Sequence, residues 1–248
     1  MNRNLDEYIQ NYQNLGFETV QEHYRFKRLG ELLDDLKDVQ NFKNILEIGP
    51  GSNSVYSFFP DFQSYTILEP ISFFYKAIDI DNPRIVVKNE TAEFFLRVNP
   101  SSKFDLVVLS SVLHELENPR IFLLELANRI SPTTKIVVVL PNNLSLHRII
   151  GDLEGFEKSG PSLTETERRM QQVVSFSIDS FTEFATSSGL NVVHIFTSFV
   201  KPLPHFKMHN LHQSGRLTDS HLDFLYSLSS LFDPYGSEIF AVLEKSND

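Results

Sequence analysis

A chain of 248 residues, 41% hydrophobic and 22% charged with no low-complexity run, is long enough to bury the core of one large folded domain. Its net charge of -10, with no basic cluster longer than Arg168-Arg169, argues against a nucleic-acid or anionic-membrane partner, because gripping phosphates takes cations gathered on one face. It lacks cysteine, which excludes disulfides, thiolate metal sites and cysteine nucleophiles; with neither a signal-peptide pattern nor a bilayer-length apolar run, a cytoplasmic protein is expected.

The first 40 residues carry a helical period. Val20, Tyr24, Phe26, Leu29, Leu32, Leu33 and Leu36 recur at helical spacing, with Glu22, Lys27, Glu31 and Asp35 on the other side. From Phe42 the pattern changes to short, β-branched, apolar segments: Asn44 to Ile48, Ser64 to Leu68, Arg84 to Lys88, Phe104 to Leu109 and Lys135 to Leu140. Continuous apolar runs of that length read as parallel strands buried on both faces. Helical patterns separate them, weak at Ser54 to Phe59 and at Phe73 to Ile78. The helix opened by Asn118 and Pro119 is clear. Strict alternation of strand and helix predicts a doubly wound parallel sheet.

After Pro141 the alternation stops. Residues 142–176 read as an insertion acting as a lid, with Thr164 and Glu167 at capping-box spacing. Ser177 to Ser187 then reads as helix ended by Gly189, Asn191 to Phe196 as strand, Asp219 to Leu231 as helix and Ser237 to Leu243 as a last strand. The expected fold is therefore α/β, a Rossmann-like, seven-stranded, mostly parallel sheet with helices on both faces. One domain, 1–248, is expected: a helical cap at 1–41, a cofactor-binding core at 42–141, the insertion at 142–176 and the C-terminal half of the sheet at 177–248.

The first predicted strand ends in Leu46-Glu47-Ile48-Gly49-Pro50-Gly51-Ser52-Asn53. At the carboxyl end of such a strand the chain turns into a crevice where ligands bind, and glycines admit a ligand without an intervening Cβ. A carboxylate here, Glu47, suits an amino group better than a phosphate. Glu69, closing the second strand, is placed to accept both hydroxyl protons of a ribose. The bare alternatives are a strand-to-helix turn or a dinucleotide site.

These residues together resemble the class I S-adenosylmethionine-dependent methyltransferases. Leu46 to Gly51 is similar to that family's first motif, with Asn53 where its third glycine stands. Glu69 and Pro70 match its ribose-binding position, Asn89-Glu90-Thr91-Ala92-Glu93 its adenine-contacting turn, and Phe104 to Leu116, including Ser110, its fourth-strand motif. The resemblance runs from about Phe17 to Lys245. It implies S-adenosylmethionine as cofactor, held by Glu47, Gly49, Pro50, Gly51, Asn53, Glu69, Pro70, Glu90, Thr91, Ala92 and Ser110. Leu140 to Gly151 and Lys201-Pro-Leu-Pro204, with Phe17, Glu18 and Arg25, resemble a subset that acts on small molecules. That implies a small-molecule acceptor contacted by Asn143, Arg148, Tyr12 and Arg25, and a monomer or homodimer.

Methyl transfer from a sulfonium needs alignment first, and a base where the acceptor is a hydroxyl. His114 and His147 follow the fourth and fifth strands and are the candidate bases, Arg148 beside His147 favouring its neutral form. His205, His209 and His212 share helical spacing, but Lys207 among them argues against a metal, and none is expected. O-methylation is the leading expectation. N- or C-methylation, or a non-catalytic S-adenosylmethionine-binding partner subunit, are the alternatives.

Overall fold

The computed structural model describes residues 4–13, 16–78, 80–100, 103–155 and 159–246, so residues 156–158 of the expected lid and part of the N-terminal cap lie outside it. Seven strands form one sheet: β1 (Asn44–Ile48), β2 (Ser64–Leu68), β3 (Ile85–Lys88), β4 (Leu106–Ser110), β5 (Lys135–Pro141), β6 (Leu190–Ser198) and β7 (Glu238–Lys245). Their order is β3-β2-β1-β4-β5-β7-β6. The four pairings among β1 to β5 are parallel. β7 is the exception. Asn142 N–H donates to Ser237 C=O, and Ser237 N–H to Phe199 C=O, both at 2.9 Å, which sets the start of β7 beside the ends of β5 and β6. The expected Rossmann-like, mostly parallel sheet is thus present, with one antiparallel strand.

The apolar runs explain the pairing. Ile45, Leu46, Ile67, Leu68, Val107, Val108 and Val137 are almost completely buried, and each such side chain contributes roughly 1.5–3 kcal/mol of transfer free energy. The helices are α1 (Leu5–Gln13), α2 (Glu18–Val39), α3 (Ser72–Tyr75), α4 (Ala92–Val98), α5 (Pro119–Arg129), α6 (Leu146–Leu153), α7 (Glu165–Arg169), α8 (Ile178–Thr186), α9 (His205–Gln213) and α10 (Asp219–Ser227). Local chemistry starts and stops them as read from the sequence. The Asn118 side chain accepts from Ile121 N–H at the start of α5, with Pro119 in the first turn. Thr164 and Glu167 form a complete capping box on α7. Gly189, past the end of α8, has φ +79°. The weak helix after β1 is a single 3-10 turn, Val55–Phe58, and α3 is a single turn, Ser72–Tyr75, that ends before the expected Ile78.

Two compact units partition the chain. One comprises residues 30–139, 181–194 and 241–248; the other comprises 1–29, 140–180 and 195–240. The first holds the predicted cofactor loops. The second is organised around Phe17, Tyr24, Phe199, Met208 and Leu222, with the Tyr24 and Phe199 rings stacked 4.6 Å apart. Among the described residues no helix is long and apolar enough to cross a membrane.

Candidate functional site

In the first unit the strand order reverses at β1. The chain leaves β1 for β2 on one side and later returns to β4 on the other, so the loops after β1 and β4 diverge from a common edge. Gly49 and Gly51 both have positive φ, +61° and +66°. A Cβ on Gly49 would lie 2.6 Å from Val112 Cγ2, whereas one on Gly51 would meet nothing within 4 Å. The first glycine therefore lets two loops of the protein meet. The second leaves open space over the turn. Asn53, at the third-glycine position, is not among the positive-φ residues. Pro50 accepts the Asn53 N–H at 3.4 Å, so the turn closes without a left-handed residue there.

Glu69 is buried at the end of β2. Its two carboxylate oxygens accept N–H from Gly51 (3.1 Å) and Ile71 (2.9 Å), and its carbonyl accepts from the Asn89 side chain (2.8 Å). The loops after β1, β2 and β3 are thereby tied at one residue. A carboxylate at a strand end beside a glycine turn is chemically suited to accept hydroxyl hydrogens such as those of a sugar diol. Pro70 and Thr91 are exposed, Ala92 is buried, and Glu90 and Ser110 are half-buried. Thr91 caps α4 through Phe94 N–H, and Glu90 lies 3.7 Å from Lys88 Nζ.

Glu47 faces inward. It accepts from the Ser54 hydroxyl, from Val55 N–H at 2.9 Å and from the Tyr65 hydroxyl at 2.8 Å. Burial pushes its carboxyl up to about 7 against the pull of those three donors. Its hydrogen bonds fasten the far side of the glycine turn to β1 and β2. His114 is buried after β4, with Glu115 Oε1 3.9 Å from its Nε2. Ser111, just before it, is held at φ +59°, a conformation costly for a non-glycine residue. Ser111 and Val112 carry no sequence signal of their own; backbone geometry reveals them.

The second unit holds the predicted acceptor residues. Arg148 is buried and makes a bidentate pair with Glu167, at 2.6 and 3.2 Å, and Ser175 and Thr164 donate to the same carboxylate. Burial works to raise the Glu167 pKa, but the Arg148 guanidinium and these donors hold it below the ordinary value. Asn143 is buried, donating its N–H to Phe176 C=O at 2.7 Å. Tyr12 stacks on Tyr8 at 6.4 Å. Arg25 bridges Glu18 (2.9 Å) and Glu238 (2.5 Å); burial opposes its charge, and the two carboxylates outweigh that and keep it protonated.

His147 is brought against His205, a residue the sequence does not group with it. Its ring lies 6.5 Å from His205, and its Nδ1 is enclosed, without a hydrogen-bond partner among the described residues. Burial, then the charges of Lys201, His205 and Arg148, push its pKa well below 6.5. Lys201, almost fully buried, donates to Gln21 Oε1 at 2.6 Å, and His205 Nε2 lies 2.8 Å from the same oxygen. Gln21 and Glu238 are not site candidates from sequence, Lys201 enters only through the Lys201-Pro-Leu-Pro204 segment, and His205 only through a metal spacing that is set aside. Gln21 and Glu238 stand in unremarkable patterns, and only contact over long sequence separations groups them. Among the described residues no set of histidine and acidic side chains could hold a metal ion.

A parallel sheet with this reversal, a glycine turn and a strand-end acid clamped beneath it defines a nucleoside-binding α/β enzyme. Residues 21–195 match the model of a methyltransferase domain, and the chain belongs to that family: it is an S-adenosylmethionine-dependent methyltransferase of the class I fold. Similar solved structures include the plantazolicin methyltransferase BamL in complex with a triazolic desmethylPZN analog and SAH. It is 13% identical, with a TM-score of 0.60, over 96% of this chain and 90% of that one. The N-methyltransferase NodS from Bradyrhizobium japonicum WM9 is 13% identical with a TM-score of 0.55, over 90% and 97% of the two chains. A putative methyltransferase in complex with the Haloferax volcanii Trm112 activator is 11% identical with a TM-score of 0.59, over the full length of both. At these identities the likeness is one of fold. No curated protein sequence matches the chain.

Proposed function

We propose that the enzyme methylates a hydroxyl of a small polar molecule, with a histidine as base. The observation that carries this reading is the state of His147: an enclosed imidazole whose Nδ1 has no hydrogen-bond partner among the described residues, kept neutral by burial and by neighbouring cations. A neutral imidazole is the side chain suited to take a hydroxyl proton near neutral pH, a contribution of roughly 100- to 10,000-fold.

S-adenosylmethionine, when bound, supplies the methyl group and the leaving sulfur. The residues present fit it. Glu69 is a carboxylate able to accept from the ribose hydroxyls, and Gly51 leaves the space over the turn open. Glu47 acts through Ser54 and Val55, fixing the turn that Gly49, Pro50, Gly51 and Asn53 form, while Glu90, Thr91, Ala92 and Ser110 complete the cofactor side. Residues 142–176 with Asn143, and the N-terminal Tyr12 and Arg25, serve the acceptor. Arg148, paired with Glu167, holds that segment in shape. His114 is the second candidate base. Residues 1–248 work as one domain, as a monomer or homodimer, with no nucleic-acid or membrane partner. The desmethylPZN analog bound to BamL and the N-methylation named for NodS support a panel that contains both hydroxyl and amine acceptors.

The experiment is transfer of radiolabelled methyl from S-adenosylmethionine to phenols, sugar hydroxyls and amines. Label is expected on a hydroxyl, with His147→Ala lowering kcat at least tenfold and leaving the KM for S-adenosylmethionine unchanged. Label appearing only on amines would overturn the O-methylation reading. Calorimetry with S-adenosylhomocysteine tests the cofactor side: Glu69→Ala is expected to weaken binding at least tenfold, and full retained affinity would mean the ribose is held elsewhere.

A further inference from the structure

Strand β3 closes one side of the sheet, with β2 as its only strand neighbour among the described residues. Tyr65 N–H donates to Arg84 C=O at 2.9 Å, and Glu69 N–H to Lys88 C=O at 3.0 Å. In a parallel ladder the backbone groups alternate between neighbours, so those of Val86 also face β2 and those of Ile85 and Val87 face outward. Ile85 N–H is taken by Asn82 C=O at 2.9 Å. The open edge therefore presents Ile85 C=O, both backbone groups of Val87 and, by the same alternation, Asn89 N–H. Edge strands are ordinarily blunted by a central charge, a proline or a covering loop. Here Pro83 and Lys88 lie only at the two ends, and the centre is Ile85-Val86-Val87. Val86 is 50% exposed. Phe73 is 49% exposed beside it: its chain neighbour Ser72 donates to the Asn89 side chain at 3.3 Å, just past β3.

We propose that β3 is the dimerisation edge of this enzyme: a second copy of the chain pairs its own β3 antiparallel across a two-fold axis at Val87, and the two sheets continue one another. Such a contact requires a strand complementary to itself. About Val87, each Val87 N–H donates to the second copy's Val87 C=O, and each Asn89 N–H faces the second copy's Ile85 C=O. Charge selects this register. It sets Arg84 opposite the second copy's Glu90, and Lys88 opposite Val86, with no like charges facing. An axis at Val86 would set Arg84 against the second copy's Lys88, and like charges directly opposite are unfavourable. It would also turn Val87 toward Ile85, whose N–H is already taken. The pairing covers Val86 in both copies, with Phe73 at the rim. The proposal narrows the expected monomer or homodimer to a homodimer and depends on neither the acceptor nor the base.

The test is sedimentation of the full chain over a range of micromolar concentrations. Wild type is expected to approach twice the chain mass. Val87→Pro removes the outward donor at the axis and no hydrogen bond to β2, and edge strands tolerate proline at such a position. It is expected to weaken dimerisation at least tenfold while affinity for S-adenosylhomocysteine stays within twofold. Val86→Lys changes only an exposed side chain and should do the same, so the test survives if the proline variant fails to fold. Register is read separately. The chain lacks cysteine, so Val87→Cys introduces a single thiol. Across the axis the two Cα atoms of a hydrogen-bonded pair lie about 5.5 Å apart, within disulfide reach. Mild oxidation should join this variant into a covalent dimer far faster than Val39→Cys, an exposed control position on α2. A wild type that stays monomeric, or a dimer undiminished by both Val87→Pro and Val86→Lys, would overturn the proposal. So would a Val87→Cys variant that crosslinks no faster than the control.

Discussion

Gly49 and Gly51 sit two residues apart with nearly the same backbone conformation, yet physical chemistry assigns them different tasks. Alanine in a left-handed conformation costs about 1–2 kcal/mol at either position. At Gly49 the added Cβ also collides with Val112, which is anchored next to strained Ser111, and overpacking of that kind adds about 1–3 kcal/mol. Gly49→Ala is therefore expected to lower stability clearly more than Gly51→Ala in urea titrations. Gly51→Ala should fold and yet lose affinity for S-adenosylhomocysteine, because its new methyl group stands in the open space over the turn. Equal stability losses at the two positions would contradict this division. Glycine spacing alone signals both residues; it does not distinguish them, because the difference comes from Val112, 63 positions away on another loop.

At the scale of elements, α6 and α7 are held together by Arg148 and Glu167, both almost fully buried. Removing one partner of a buried pair strands the other charge, at a cost of about 3–5 kcal/mol. Arg148→Met is expected to lower the unfolding free energy by roughly that amount. Adding Glu167→Gln should recover part of it, since glutamine at this position keeps the α7 capping box while removing the orphan charge. If Arg148→Met left the thermal midpoint unchanged and abolished acceptor binding, the arginine would be gripping the acceptor, the role its place in the motif suggests. The capping box was readable from Thr164 and Glu167 because its partners are three residues apart. The ion pair was not, since its 19-residue separation has no period to betray it.

At the scale of the molecule, two sets of buried groups give stability opposite dependences on pH. His147 and His205 have folded pKa values pushed below 6.5. The unfolded chain therefore takes up their protons first, and the stability they confer above pH 6.5 is lost as pH falls. Glu47 is the reverse case. Its folded pKa, about 7, stands above the ordinary 4.5, so the unfolded chain ionises first. Its contribution is fully present below pH 4.5 and is lost as pH rises through 7, on the order of 3 kcal/mol in all. Glu47→Gln is expected to gain stability relative to wild type between pH 5 and 8. A His147→Asn, His205→Asn double variant is expected to lose less than wild type between pH 7 and 5. Urea midpoints at these pH values check both, and parallel curves for wild type and either variant would refute the corresponding assignment.

The amino-acid order by itself determined the alternation of β1 to β5 with helices, the glycine turn, the strand-end acid and the helix caps. Those features depend on short-range periodicity, on residue-specific backbone freedom and on hydrogen bonds spanning three or four positions. Only the tertiary structure decided that Glu47 turns inward, that Arg148 pairs with Glu167, and that β7 enters antiparallel between β5 and β6. It alone gathered Gln21, Lys201 and His205 at separations of up to 184 residues. Burial makes these polar contacts strong, and burial is a property of the packed chain, which no local window of sequence contains.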